Sequence, residues 1–174
     1  MTKATSKSKD TITIAAIITV LIISVADAGS VKIAYSQSSN TPNFSLKTLD
    51  GKQVSLESFR GKPVMLWFMS TDCPSCFAQV DAVKQLKSEY TNKLDILLID
   101  IMPTDSSQDL QSFLEKFGIS QWKATLDTDG VAIKYGIIQT DSTVIVDTNG
   151  NIVFKHLGLS DYQQLKDTVA KIIV

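Results

Sequence analysis

Two short apolar runs, Val64-Met65-Leu66-Trp67-Phe68-Met69 and Leu94 to Ile101 (LDILLIDI), separated by one helix-length segment, constrain this chain more than any other feature. Each run is too short for a lone helix and lacks polar alternation, the pattern of a strand covered on both faces. Strand, helix and strand in that order predict a βαβ unit, and so a sheet containing parallel strands. Within the connecting segment Cys76, Val80, Val83 and Tyr90 share one helical face, while Asp81, Lys84 and Lys87 lie largely elsewhere. Lys84, Lys87 and Lys93 read as a solvated face, and Met65, Met69, Trp122 and the phenylalanines as core.

The flanking sequence extends this unit on both sides. Phe44, Leu46, Leu49, Val54 and Leu56 surround Asp50-Gly51, a dipeptide that supplies the positive φ of a tight turn, so a β-hairpin opens the domain. After the second run, Ser106 or Ser107 can cap a helix striped by Leu110, Phe113, Leu114 and Phe117 and ended by Gly118. Ser142 to Asp147 and Ile152 to His156 form a second hairpin about Asn149-Gly150, and Asp161 to Ile173 reads as a closing amphipathic helix with Leu165, Val169 and Ile172 inward. A chain of 174 residues accommodates one such domain and a short appendage.

The appendage is N-terminal. Lys3, Lys7 and Lys9 precede an apolar run from Ile12 to Ala26, which ends in Ala26-Asp27-Ala28-Gly29. A positive segment, an apolar segment and an A-x-A-like site in that order are expected of an export leader. The run is shorter than the ~20 residues that cross ~30 Å of hydrocarbon, so cleavage after Ala28 is favoured over a permanent anchor. Residues 1–28 are thus expected to be a signal peptide or anchor, 29–41 a polar linker and 42–174 the folded domain, which places the cysteines in an oxidising compartment. With 17 basic and 18 acidic residues, a formal net charge of -1, the chain carries no single-sign field that would draw in nucleic acid.

The only two cysteines, Cys73 and Cys76, lie where the first apolar strand gives way to the helix. Two sulfurs at this spacing on a first helical turn can close a disulfide. Backbone N–H groups and the positive helix end favour a thiolate on Cys73, lowering a pKa that is about 8.5 in a free thiol. Cys73 is therefore expected to be the nucleophile and Cys76 the residue that resolves a mixed disulfide with a partner. Pro74 suits the first helical position because its missing N–H would have had no partner there.

Cys73-Pro74-Ser75-Cys76 resembles the redox motif of the TlpA/ResA-like redoxins of the alkyl hydroperoxide reductase/thiol-specific antioxidant superfamily, and the resemblance extends over residues 42–172. Pro42-Asn43-Phe44-Ser45-Leu46, Asp50-Gly51-Lys52, Val54-Ser55-Leu56 and Phe59-Arg60-Gly61-Lys62-Pro63 look like that family's opening hairpin. Asp127-Thr128-Asp129-Gly130 with Tyr135-Gly136, and Val146-Asp147 with Gly150-Asn151-Ile152-Val153 and His156-Leu157-Gly158, match further downstream. The resemblance implies an α/β, thioredoxin-like three-layer fold: a central mixed sheet, helices on both faces and an extra N-terminal hairpin. It also implies disulfide exchange or reduction in exported proteins, without a cofactor. Apocytochromes or cupredoxin-type copper proteins would be clients, a membrane electron carrier the reductant, and the protein a monomer.

Several positions depart from the family pattern. Where the family has Thr-Pro with a cis-proline beside the disulfide, this chain has Thr140-Asp141. A cis bond before a non-proline residue costs about 2.5–4 kcal/mol, so a trans or rearranged loop is expected. An ionised Asp141 at about 6 Å from Cys73 would oppose a thiolate by about 0.7 kcal/mol across water, or about 2.8 at an effective dielectric of 20. The helix end contributes only about 0.3–1 kcal/mol, so the carboxylate would slow the nucleophile, with Asp72 adding to the effect. Alternatively Asp141 is a solvated turn residue that faces away. Asp72 stands where the family has Trp, Gln79 replaces an acidic residue some members carry, and Trp67 fills the place of a buried acid or amide. Two thiolates with Asp141 as a further ligand would suit copper or zinc, though the loop has no histidine, and His156 reads as a hydrogen-bonding residue. A peroxidase would need proline and Thr or Ser ahead of its cysteine, where this chain has Leu66 and Ser70.

Overall fold

The computed structural model describes residues 41–173. The leader expected over 1–28 and nearly all of the linker expected over 29–41 lie outside the described residues. Among those described, no helix is long and apolar enough to cross a membrane.

The opening hairpin pairs β1 (Ser45–Lys47) with β2 (Gln53–Ser55) in antiparallel register, Leu46 opposite Val54. Gly51 turns it at φ +83°, a conformation that glycine adopts without steric cost. A 3₁₀ turn, Leu56–Phe59, leads to β3 (Val64–Met69), all six of whose residues are buried. Then come α1 (Pro74–Glu89), β4 (Asp95–Asp100), α2 (Ser107–Lys116), β5 (Lys123–Leu126), α3 (Val131–Lys134), β6 (Ser142–Val146), β7 (Ile152–His156) and α4 (Tyr162–Ile172).

The five-stranded sheet has the order β5-β4-β3-β6-β7. β3, β4 and β5 run parallel, while β6 is antiparallel to both β3 and β7, so the sheet is mixed, as expected of a thioredoxin-like fold. β3 lies at its centre, which explains the uninterrupted apolar run. Its residues alternate between two cores. Met65, Trp67 and Met69 face one side with Val80, Val83 and Leu86 of α1, Leu110 and Phe113 of α2, and Leu165 and Val169 of α4. Val64, Leu66 and Phe68 face the other, against Phe44, Leu46 and Val54 of the hairpin, Leu56 and Phe59 of the 3₁₀ turn, and Val131 and Ala132 of α3. Helix covers both faces unequally: the three longer helices on one side, the short α3 and the 3₁₀ turn on the other.

The helix ends follow sequence. Ser106 caps α2 by accepting from Asp109 N–H, and Asp109 accepts in return from Ser106 N–H, a reciprocal box; Gly118 follows the helix at φ +65°. Asp161 caps α4 by accepting from Gln163 and Gln164 N–H. On α1, Gln79 and Leu86 join the buried face, whereas Tyr90 is the half-buried residue after the helix. Lys87 is not simply solvated: its ammonium donates to the Thr91 and Leu94 carbonyls, and the loss of water lowers its pKa. β5 has no counterpart among the sequence expectations; its four residues carry too little pattern to announce a strand.

Candidate functional site

The central strand β3 delivers the chain to Ser70-Thr71-Asp72, where α1 begins. Asp105 holds this loop: its Oδ2 accepts from Ser70 Oγ at 3.1 Å, Thr71 N–H at 2.9 Å and Thr71 Oγ1 at 2.8 Å. The N-cap of α1 is Cys73 itself, in extended backbone at φ -84°, ψ 113°, and Pro74 takes the first helical position. Cys73 and Cys76 are joined in a disulfide with Cα atoms 5.2 Å apart, inside the usual 4.4–6.8 Å span. Cys73 Sγ accepts the Cys76 N–H at 3.1 Å. An orphan donor of the first helical turn thus points at the sulfur that would carry negative charge.

Exposure separates the two sulfurs. Cys73 retains 7% and Cys76 none, so a partner can approach only the first. Pro74 is exposed, Ser75 is half-buried with its Oγ 3.2 Å from Cys73 Sγ, and Asp72 is exposed.

Asp141 is fully buried, which overturns the reading of a solvated turn residue. No described peptide bond is cis, and Asp141 is the only described non-glycine residue with positive φ, at 59°. This left-handed backbone, costly for a side chain with a Cβ, turns the carboxyl inward at the start of β6. There Oδ1 accepts the Trp67 indole N–H at 3.1 Å, while Oδ2 has no hydrogen-bond partner among the described residues. Burial pushes the Asp141 pKa up, against the smaller downward pulls of the Trp67 hydrogen bond, the Ser75 hydroxyl and His156. Thr140, just before it, is half-buried. His156 lies opposite Thr143 on β7 and stacks on Phe154 with ring centroids 6.2 Å apart. The structure therefore gathers Cys73, Cys76, Ser75, Asp141 and Trp67 at one end of the sheet, with Asp72 and Pro74 on its outer side. Among the described residues no group of three or more His, Cys, Asp or Glu is placed to hold a metal ion.

A pair of acids, Asp100 and Asp105, adjoins the site. Asp100, at the end of β4, is 2% exposed; its Oδ1 accepts Met102 N–H at 3.0 Å and its Oδ2 has no partner among the described residues. Burial, reinforced by the charges of Asp105 and Asp109, raises its pKa to about 7, while at Asp105 burial is outweighed by the hydrogen bonds from Thr71 and Ser70, which bring it below the usual carboxylate range. Sequence reasoning passed over both residues. The available signal was an acid at the carboxyl end of a buried parallel strand, the edge of an α/β sheet where sites assemble.

The chain is similar over most of its length to known proteins. The chain is 26% identical over 136 residues to the thioredoxin-like protein YneN of Bacillus subtilis (strain 168), covering 78% of this chain and 79% of that protein. It is 29% identical over 133 residues to the thiol-disulfide oxidoreductase ResA of Bacillus thuringiensis subsp. konkukian (strain 97-27), covering 75% of each. Among solved structures, MTB dsbF, in its mixed oxidized and reduced forms, superposes with a TM-score of 0.67 at 28% identity, over 74% of this chain and 94% of that one. Fold, disulfide and relatives define the class, that of thiol-disulfide oxidoreductases with a thioredoxin-like fold. Within it, the chain belongs to the AhpC/TSA family, whose model matches residues 38–155.

Proposed function

We propose that this protein is an extracytoplasmic oxidoreductase that reduces or exchanges disulfides of exported proteins, with Cys73 as nucleophile and Cys76 as resolving thiol. The observation that carries this reading is the asymmetry of the pair: one sulfur reachable from outside and facing a helix N–H, the other sealed beneath it. In the reducing direction the Cys73 thiolate attacks a client sulfur, forming a mixed disulfide and expelling the other client sulfur as a thiolate. Cys76, once deprotonated, attacks Cys73 Sγ and releases the second client thiolate. Two electrons pass to the client and the protein is left as the disulfide. A membrane-bound dithiol donor would then restore it.

The outside location rests on the lysine-flanked apolar run of residues 1–28 and its Ala26-Asp27-Ala28 end. Residues 29–41 would be the spacer and 42–174 the catalytic domain. Incubation of reduced variants with a disulfide-bonded model peptide tests the roles. Cys76→Ser is expected to accumulate a mixed disulfide that thiols release, and Cys73→Ser to lose exchange altogether. Undiminished exchange by Cys73→Ser would refute the assignment. The midpoint potential sets direction: a value near -270 mV marks a reductase, one near -120 mV an oxidant.

A further inference from the structure

The Asp141 carboxyl combines three features that structural packing alone does not require. It is fully buried, it sits on strained left-handed backbone, and one of its oxygens goes without a donor. A buried carboxylate oxygen left unpartnered is costly, so its retention points to a donor supplied in another state of the protein. The state described is oxidised, in which neither sulfur carries a proton. Reduction adds two S–H groups, one of them on the sulfur that Ser75 Oγ touches.

Ser75 lies near both sulfur and carboxyl. Its hydroxyl is 3.2 Å from Cys73 Sγ and close enough to the Asp141 carboxyl to lower its pKa, while Oδ2 is still open in the oxidised form. A hydroxyl has one proton to give and two lone pairs to receive with, so it can serve whichever neighbour is charged. Gln79, one turn beyond Cys76 on α1, is an uncharged amide whose Oε1 is already taken by Ser160 N–H at 2.7 Å. The groups acting on Asp141 are Trp67 from β3, Ser75 from the start of α1 and His156 from β7, none of them a carboxylate, and Ser75 in turn touches Cys73 Sγ.

We propose that Asp141 and Cys73, bridged by the Ser75 hydroxyl, share one negative charge in the reduced protein, so that Asp141 takes up the proton Cys73 gives away when it attacks. This rests on Cys73 being the nucleophile. The Cys73 S–H bond breaks as its proton passes to Ser75 Oγ, and the Ser75 proton forms the O–H bond at Asp141 Oδ2; no electrons change hands in this step. The departing client thiolate takes a proton from solvent and Asp141 later returns one, so the acid is unchanged over a cycle. Because two anions held together repel, their titrations are coupled and each raises the apparent pKa of the other.

The test follows thiolate absorbance of the reduced full chain against pH. Asp141→Asn keeps an oxygen acceptor for the Trp67 N–H and removes the charge. It is expected to lower the Cys73 titration midpoint by about 1–3 pH units, whereas Ser75→Ala, which removes the hydroxyl serving the thiolate, is expected to raise it. A midpoint unchanged in Asp141→Asn overturns the proposal, and one unchanged in Ser75→Ala overturns the bridge. A measurement on the unaltered protein needs no variant: the carbon-13 shift of the Asp141 carboxyl should titrate higher in the reduced than in the oxidised form, and identical curves would also overturn the proposal. If the charge is not shared but Cys73 is still the nucleophile, the wild type exchanges normally with the model peptide. If Cys73 is not the nucleophile, exchange survives in Cys73→Ser.

Discussion

Replacing Asp100 by Asn should make this protein more stable at pH 8 than its parent and remove most of its loss of stability between pH 4 and 7. Asp100 has an ordinary pKa of 3.8 when unfolded and about 7 when folded, chiefly because burial disfavours its charge. Between those values the folded state keeps a proton that the unfolded state has lost. Stability that is fully present below pH 4 therefore drains away as pH rises towards 7 and is then constant. Each pH unit across the window costs about 1.4 kcal/mol, so the roughly 3-unit displacement amounts to about 4 kcal/mol at most. The retained proton belongs on Oδ2, which is otherwise without a partner and can then donate to Asp105. An Asn side chain offers an N–H at the same place without needing a proton and keeps an oxygen for Met102 N–H. Urea unfolding of both oxidised proteins at pH 5 and pH 8 reads the effect. The wild-type midpoint should fall over this range, and that of Asp100→Asn should fall much less. Parallel midpoints in the two proteins would refute the argument, because Asp100 would then ionise in the folded state as freely as in the unfolded one.

Two further outcomes are expected. Asp105→Ala removes the acceptor of three hydrogen bonds from Ser70 and Thr71 and should cost about 2–4 kcal/mol, together with slower exchange with a model disulfide, since the loop that sets the position of Cys73 is freed. Wild-type stability and rate would show that the loop is held by other contacts. Leu98→Ala, at a fully buried position on β4, should cost about 2–5 kcal/mol in chemical unfolding while leaving the Cys73 titration in place.

Most of the fold was legible because its signals are local and repeated. β3 and β4 announced themselves as unbroken apolar runs, the hairpins as Asp50-Gly51 and Asn149-Gly150, and α2 as a cap, a stripe and a glycine stop. β5 escaped because Lys123–Leu126 is short and gains its strand character from pairing with β4. The cysteine pair was legible as a site for the same local reason, two sulfurs at the entrance to a helix. Asp141 stands out as a departure from a family pattern, but its burial does not, since that depends on a left-handed backbone and on Trp67, distant in sequence. Asp100 carries only the faint signal of an acid that ends a buried strand and Asp105 none, because their meaning arises from mutual proximity and from a loop they meet only in three dimensions.

The hairpin has one more effect. Leu49 N–H donates to the Ala124 carbonyl at 2.9 Å, and Thr48 bridges Thr125, so the outer margin of β5 is already engaged. Among the described residues the other margin, the outer edge of Ile152–His156, has no neighbouring strand, and Lys155 is drawn over to the Tyr135 and Gly136 carbonyls. An extended segment from another molecule that sought to lengthen the described sheet would meet the hairpin on one side and, on the other, would have to unseat a lysine.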